Sequence, residues 1–172
     1  MSETERRRGG HDSVELYLVR HAHAGDPETW RGPDDARPLS SKGERQAARL
    51  AAFLARAGVR PVAILSSPKV RATQTAAPLG EALHVQVRVE PLLAAGLDLV
   101  DLERILSTSG EPASLMIVGH DPDFSALVNE LTGADRLTMP KGAAARIDAS
   151  RPLVPGAGVL RWLVPPDLLQ EV

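Results

Sequence analysis

The segment Leu16-Tyr17-Leu18-Val19-Arg20-His21-Ala22-His23 decides how the chain is read. An apolar run of strand length stops on adjacent arginine and histidine, so a buried strand would deliver a fixed cation and an imidazole to its exit. Side chains at such an exit are held by rigid backbone yet reach solvent, which is where α/β proteins place their chemistry. Taken alone, Arg20-His21 reads equally as an ordinary polar strand end, and the rest of the chain has to separate the two.

Outward from that segment, short β-branched runs alternate with helical periodicities. This pattern predicts an α/β fold: a three-layer α/β/α sandwich around a mostly parallel sheet of about six strands. Strands are expected at Val14 to Val19, Val62 to Leu65, Val85 to Val89 and Leu115 to Gly119, with a closing β-pair, Ala143 to Asp148 and Val159 to Val164. Helices fill the gaps. Ser41 with Glu44 forms a capping-box pattern ahead of the stripe Ala47, Leu50, Ala51 and Leu54, which stops at Gly58; Arg45, Arg49 and Arg56 fall on its solvated face. A second helix is expected to start with Ser67 as cap and Pro68 in its first position, with Arg71 in its first turn and Pro78 ending or kinking it. Two more are predicted, from Asp98 to Leu106 and from about Pro122 to Thr132.

At 172 residues the chain matches one compact domain, long enough to bury roughly two thirds of its unfolded surface. Residues 1–13, with the basic cluster Arg6-Arg7-Arg8, read as a disordered tail, and residues 14–172 as the domain. The net charge of −2 and the scattered basic residues leave no nucleic-acid or membrane-surface footprint. Apolar runs fall short of the roughly 20 residues that span a bilayer, so a soluble, cytoplasmic protein is expected. The absence of cysteine excludes disulfides and thiolate catalysis.

In a parallel sheet the C-terminal ends of the strands share one edge. The first strand brings Arg20 and His21 there, the second leads through Ser66-Ser67-Pro68 to Arg71, and the fourth ends on Gly119-His120. Two guanidinium groups beside two imidazoles suit a phosphoryl group, which needs a nucleophile in line and positive donors around its oxygens. Neighbouring arginines should hold the pKa of His21 at or below the usual ~6.5 and so favour the neutral imidazole.

Those residues carry a family resemblance. Leu18-Val19-Arg20-His21-Ala22, Arg37-Pro38-Leu39-Ser40 with Gly43 and Gln46-Ala47, Ser66-Ser67-Pro68 with Arg71-Ala72 and Gln74-Thr75, and Val118-Gly119-His120-Asp121-Pro122 resemble the phosphoglycerate-mutase-like histidine phosphatase superfamily. The compact length and closing β-pair are most similar to its phosphohistidine phosphatase, SixA-type branch. The resemblance implies a catalytic set of His21, Arg20, Arg71 and His120, with His21 as nucleophile and the other three holding the phosphoryl oxygens. It implies a phosphohistidine intermediate hydrolysed by water, and neither metal nor cofactor. A phosphorylated substrate follows, a phosphohistidine protein or a small metabolite.

The chain departs from the better-known members at the general acid, which they often carry as Glu or Asp in the loop after the third strand. Here that loop reads Pro91-Leu92-Leu93-Ala94-Ala95-Gly96, flanked by Glu90 and Asp98, which read as a solvated carboxylate or a helix cap. Asp34 and Asp35 are second candidates. An imidazole leaving group needs less help than an alkoxide, so the gap favours a phosphorus–nitrogen bond over an alkyl monoester. Two competing readings remain: a metal site built from His21, His23, His120 and Asp121, which Arg20 disfavours on charge, and a phosphate- or phosphoprotein-binding module without turnover. His11 and His84 read as surface residues. The loop from Gly25 to Arg37, with Trp30 and Arg31, and the pair Lys141-Gly142 read equally as pocket wall or plain surface. Oligomeric state is not legible.

Overall fold

The computed structural model describes residues 12–169. Six strands form one sheet in the order β3-β2-β4-β1-β5-β6. Strand β1 is Ser13–Arg20, β2 Ala63–Ser66, β3 Val87–Val89, β4 Ser114–Gly119, β5 Ala144–Ser150 and β6 Val159–Val164. The first four run parallel; β5 pairs antiparallel with β1 and with β6. The expected α/β sandwich is therefore present. The tail expected at residues 1–13 falls mostly outside the described residues, as does His11, while Ser13 already belongs to β1.

Period-two alternation along the strands builds the layers. Leu16, Leu18, Leu115 and Ile117 point to one face and pack against α3 (Leu99–Thr108) and α4 (Asp123–Thr132). Tyr17, Val19, Met116 and Val118 point to the other and pack against α1 (Ser41–Arg56) and α2 (Val70–Leu83). Because β1 and β4 are covered on both faces they read as continuous apolar runs. Each fully buried Leu contributes about 1.5–3 kcal/mol to holding the layers together.

Four local expectations need correction. The N-cap of α1 is Ser40, not Ser41: its Oγ accepts from the Gly43 amide at 3.1 Å. Ser67 does not cap α2: its hydroxyl meets His120 and accepts from the Lys69 amide at 3.2 Å, and the helix starts later, at Val70, behind an N-cap Lys69 with no side-chain cap bond. Pro78 does not end α2. Leu79 and Leu83 beyond it are buried, and their burial together outweighs the roughly 3 kcal/mol that an internal proline costs. Finally, β3 is shorter than the Val85–Val89 alternation suggests, since the Val85 amide turns to the Gly80 carbonyl at the end of α2.

Candidate active site

The register of the parallel strands sets the site. Arg20 pairs with Gly119 across β1 and β4, so His21 and His120 leave adjacent strands at the same height. Their rings lie 5.1 Å apart between centroids. The His21 amide donates to the Gly119 carbonyl at 2.9 Å, which extends the ladder one residue past the strand and fixes the loop entry. Gly119 is needed here: a Cβ would sit 2.7 Å from the Phe124 ring, on the residue that turns the chain into α4. From the next strand, β2, the chain passes Ser67 and places Arg71 in the first turn of α2. Arg20, His21, Arg71 and His120 thus line one cleft of about 380 Å³ at the C-terminal edge of the sheet. All four residues expected at a site are brought together.

His21 is buried, and its Nδ1 lies 2.8 Å from the Ala22 carbonyl. A carbonyl can only accept, so Nδ1 carries the proton and donates it, and Nε2 keeps the free lone pair. Burial, and then the charges of Arg71, Arg20 and Lys141, push the His21 pKa down to about 4 against the opposing pull of the Ala22 bond. His120 is pushed down to about 3, by burial first and then by His21, Arg71 and Lys69. Both rings are neutral at pH 7. The downward direction expected for His21 holds, with dehydration as the larger cause and the arginines second.

The guanidinium groups are set from behind. Arg20 donates to the Met139 carbonyl at 2.6 Å and to Asp121 at 3.2 Å, and Asp121 is itself held by the amide and hydroxyl of Ser125. Arg71 grips Asp34 twice, at the backbone carbonyl (2.8 Å) and at the carboxylate (3.0 Å). His120 Nε2 is 2.7 Å from Ser67 Oγ. After these contacts, Arg20 Nε, Arg71 Nε and His120 Nδ1 remain buried without a protein partner. Buried polar nitrogens are rarely left so, because each costs about 1–3 kcal/mol. All three belong to residues that line the cleft.

Neither Glu90 nor Asp98 faces this chemistry. Glu90 accepts from the Leu92 amide and Asp98 from the Asp101 amide, so both are caps, and the cleft wall next to them is Ala94, Ala95 and Gly96. Asp34 is tied to two guanidinium groups. Burial opposes its ionisation, but the bonds and charges of Arg37 and Arg71 prevail and hold it below the usual carboxylate range. It is an anchor for Arg71 rather than a proton donor. Asp35 pairs with Lys69 at 3.4 Å.

His23 turns its Nδ1 to Ser40 Oγ and does not line the cleft, and among the described residues no three His, Asp or Glu side chains converge as a metal-ligand group. Trp30 bonds to Pro33 on the surface and does not line the cleft, and His84 is an exposed helix cap. Three further cations line the cleft: Arg37 and Lys69, which were not expected there, and Lys141, which read equally as pocket wall or surface. The signal for Lys141 lay in the closing strand, since β5 antiparallel to β1 brings residues 141 and 142 back beside Arg20 and His21. A second cleft, about 440 Å³, opens at the opposite end of the strands. Of its two cations, Arg146 is matched by Glu15 and Asp148, and Arg60 donates to the Val59 carbonyl at 2.9 Å.

The histidine phosphatase superfamily (branch 1) model matches residues 16–105. The chain is 32% identical over 110 residues to the 8-oxo-(d)GTP phosphatase of Mycolicibacterium smegmatis, covering 62% of this chain but only 34% of that protein. To the phosphohistidine phosphatase SixA of Escherichia coli it is 26% identical over 160 residues, covering 89% of this chain and 94% of the relative. A solved structure of the protein histidine phosphatase SixA complexed with tungstate superposes with a TM-score of 0.79 at 26% identity, over 91% of this chain and all of that one.

Proposed function

The chain belongs to the histidine phosphatase superfamily and is accordingly a phosphatase, and we propose that it works through a phosphoryl group carried on His21, with protein-borne phosphohistidine as its preferred substrate. The observation that carries the first part is the tautomer of His21: the Ala22 carbonyl holds the Nδ1 proton, which leaves Nε2 as a neutral nucleophile. Arg20, Arg71 and His120, whose buried nitrogens lack protein partners, are the ligands for the phosphoryl oxygens. Their charges and N–H groups are in place before reaction and stabilise the transition state at little reorganisation cost.

The steps balance without an added acid. Nε2 of His21 attacks phosphorus, the phosphorus–nitrogen bond of the substrate breaks, and its imidazole departs neutral if its other nitrogen already carries a proton. His21 then bears phosphate on Nε2 and hydrogen on Nδ1, an imidazolium that is itself a good leaving group. Water attacks the phosphorus, the bond to Nε2 breaks, and the proton from water leaves with the phosphate or to solvent. The Ala22 carbonyl keeps the Nδ1 proton in place throughout.

The two carboxylates that line the cleft are already engaged: Asp121 is bonded to Arg20 and Ser125, and Asp123 accepts from the Leu97 amide. An alkoxide leaving group needs a proton, and the wall nearest the capped Glu90 and Asp98 is Ala94, Ala95 and Gly96. Without a free general acid, a leaving group that needs one loses typically 10²–10⁴-fold. A phosphorylated histidine does not need it. The similarity to SixA supports the same substrate, while the similarity to an 8-oxo-(d)GTP phosphatase supports a small phosphorylated metabolite as the second reading. Phosphate release from a phosphohistidine protein, an aryl phosphate and an alkyl phosphate decides between them. A rate falling in that order is expected; an alkyl monoester turned over fastest sinks the substrate assignment, and no release from any of them leaves a binding module.

A further inference from the structure

We propose that Lys141 is a further phosphoryl-binding residue, whose ammonium joins Arg20 and Arg71 on the oxygens and fits the site to a dianionic phosphoryl group. The proposal rests on the phosphatase reading for its substrate, but its geometry stands separately.

Backbone fixes where Lys141 starts. Residues 140–143 form a tight turn in which the Ala143 amide donates to the Pro140 carbonyl at 2.9 Å, and Gly142 takes φ +82° at its third position, as a type II turn requires. The turn is clamped to the nucleophile strand. Gly142 donates its amide to the carbonyls of Arg20 (3.2 Å) and His21 (3.0 Å), and the Arg20 amide donates back to Ala143 at 3.0 Å. Gln46 lies against the other side, where a Cβ on Gly142 would be 3.3 Å from its Oε1, the atom that accepts from the His23 amide. Lys141 therefore springs from a rigid support beside His21 and lines the same cleft.

Charge pairing shows why a cation there has a use. Arg20 has Asp121, Lys69 has Asp35, and Arg37 and Arg71 share the single carboxylate of Asp34. The remaining acid of the cleft, Asp123, accepts from the Leu97 amide. Among the described residues nothing pairs with Lys141, by ion pair or hydrogen bond. Burial, and then Arg20, Arg37 and Arg71, lower its pKa. An ammonium without a carboxylate partner, springing from a clamped turn into a cleft it shares with three guanidinium groups, is placed to meet an anion's oxygens.

The test uses inorganic phosphate as probe on the full chain, with Lys141→Met, which keeps length without charge, and Lys141→Arg. Phosphate affinity of the Met variant should fall by about tenfold or more, equivalent to roughly 1.4 kcal/mol, while the Arg variant stays near the parent. Without phosphate, the Met variant should melt at or above the parent temperature, since a repulsive charge is gone. Equal phosphate affinity in parent and Met variant overturns the proposal, as does a Met variant that loses stability and affinity together. Turnover of phosphohistidine by the parent, measured alongside, tests the phosphatase reading independently: binding that depends on Lys141 without turnover would sink that reading alone.

Discussion

The Nδ1 proton of His21 is fixed by the Ala22 carbonyl, so attack and departure both run through Nε2. Two outcomes follow at this scale. Replacing His21 by Ala should abolish phosphate release, while phosphate binding through Arg20, Arg71 and His120 persists; residual release near the parent rate would place the nucleophile elsewhere. The second concerns pH. Because burial and the neighbouring cations lower the His21 pKa to about 4, the nucleophile stays neutral well into acid. With a substrate whose own ionisation is constant over the range, kcat/KM should hold through pH 6.5 and fall only near 4. An acid limb at ~6.5, the ordinary value for histidine, would show that the cleft leaves His21 unperturbed. Arg20, His21 and His120 were legible from sequence because each abuts an apolar run whose end fixes its place. The places of Arg37 and Lys141 in the cleft, and the role of Asp34 as an anchor rather than an acid, were not, because they depend on how a loop and an antiparallel strand return to β1, and no local pattern encodes that.

At the scale of elements, strand existence followed from apolar runs, whereas helix starts depended on single hydroxyls. Ser40 and Ser41 are adjacent and chemically alike, and only the contact to the Gly43 amide separates them. Ser40→Ala should therefore cost about 1 kcal/mol in denaturant unfolding and Ser41→Ala a few tenths at most. Equal effects would remove the assignment of the cap. Gly119 joins β4 to the site and lies against the buried ring of Phe124. Gly119→Ala should destabilise by about 1–3 kcal/mol through overpacking and lower turnover by moving His120. Unchanged stability would show that the Phe124 ring gives way. At Ser67 the local pattern misleads: a serine before proline is a good helix start, yet its hydroxyl serves the Lys69 amide and His120, and α2 begins three residues on.

Across the whole molecule, two buried neutral histidines make folding sensitive to acid. Unfolded, each takes a proton near pH 6.5; folded, His21 resists until about 4 and His120 until about 3. Between those values the unfolded chain binds more protons, so stability falls as pH drops below ~6.5, by several kcal/mol in order of magnitude for the pair. Unfolding free energies measured from pH 7 to 4 should show this slope, and replacing both histidines by Asn should flatten it. An unchanged slope would mean that other groups govern acid unfolding. No described helix is long and apolar enough to cross a membrane, and the cleft opens on one edge of the sheet.

The most direct test of the central claim is to quench the protein during turnover of a phosphohistidine protein, under neutral to alkaline conditions, and locate the phosphoryl group by mass spectrometry. The account predicts an acid-labile phosphoryl group on His21, attached through Nε2 and absent from His21→Ala. Turnover with no phosphoryl group on the protein, or with one on another residue that survives His21→Ala, would contradict it.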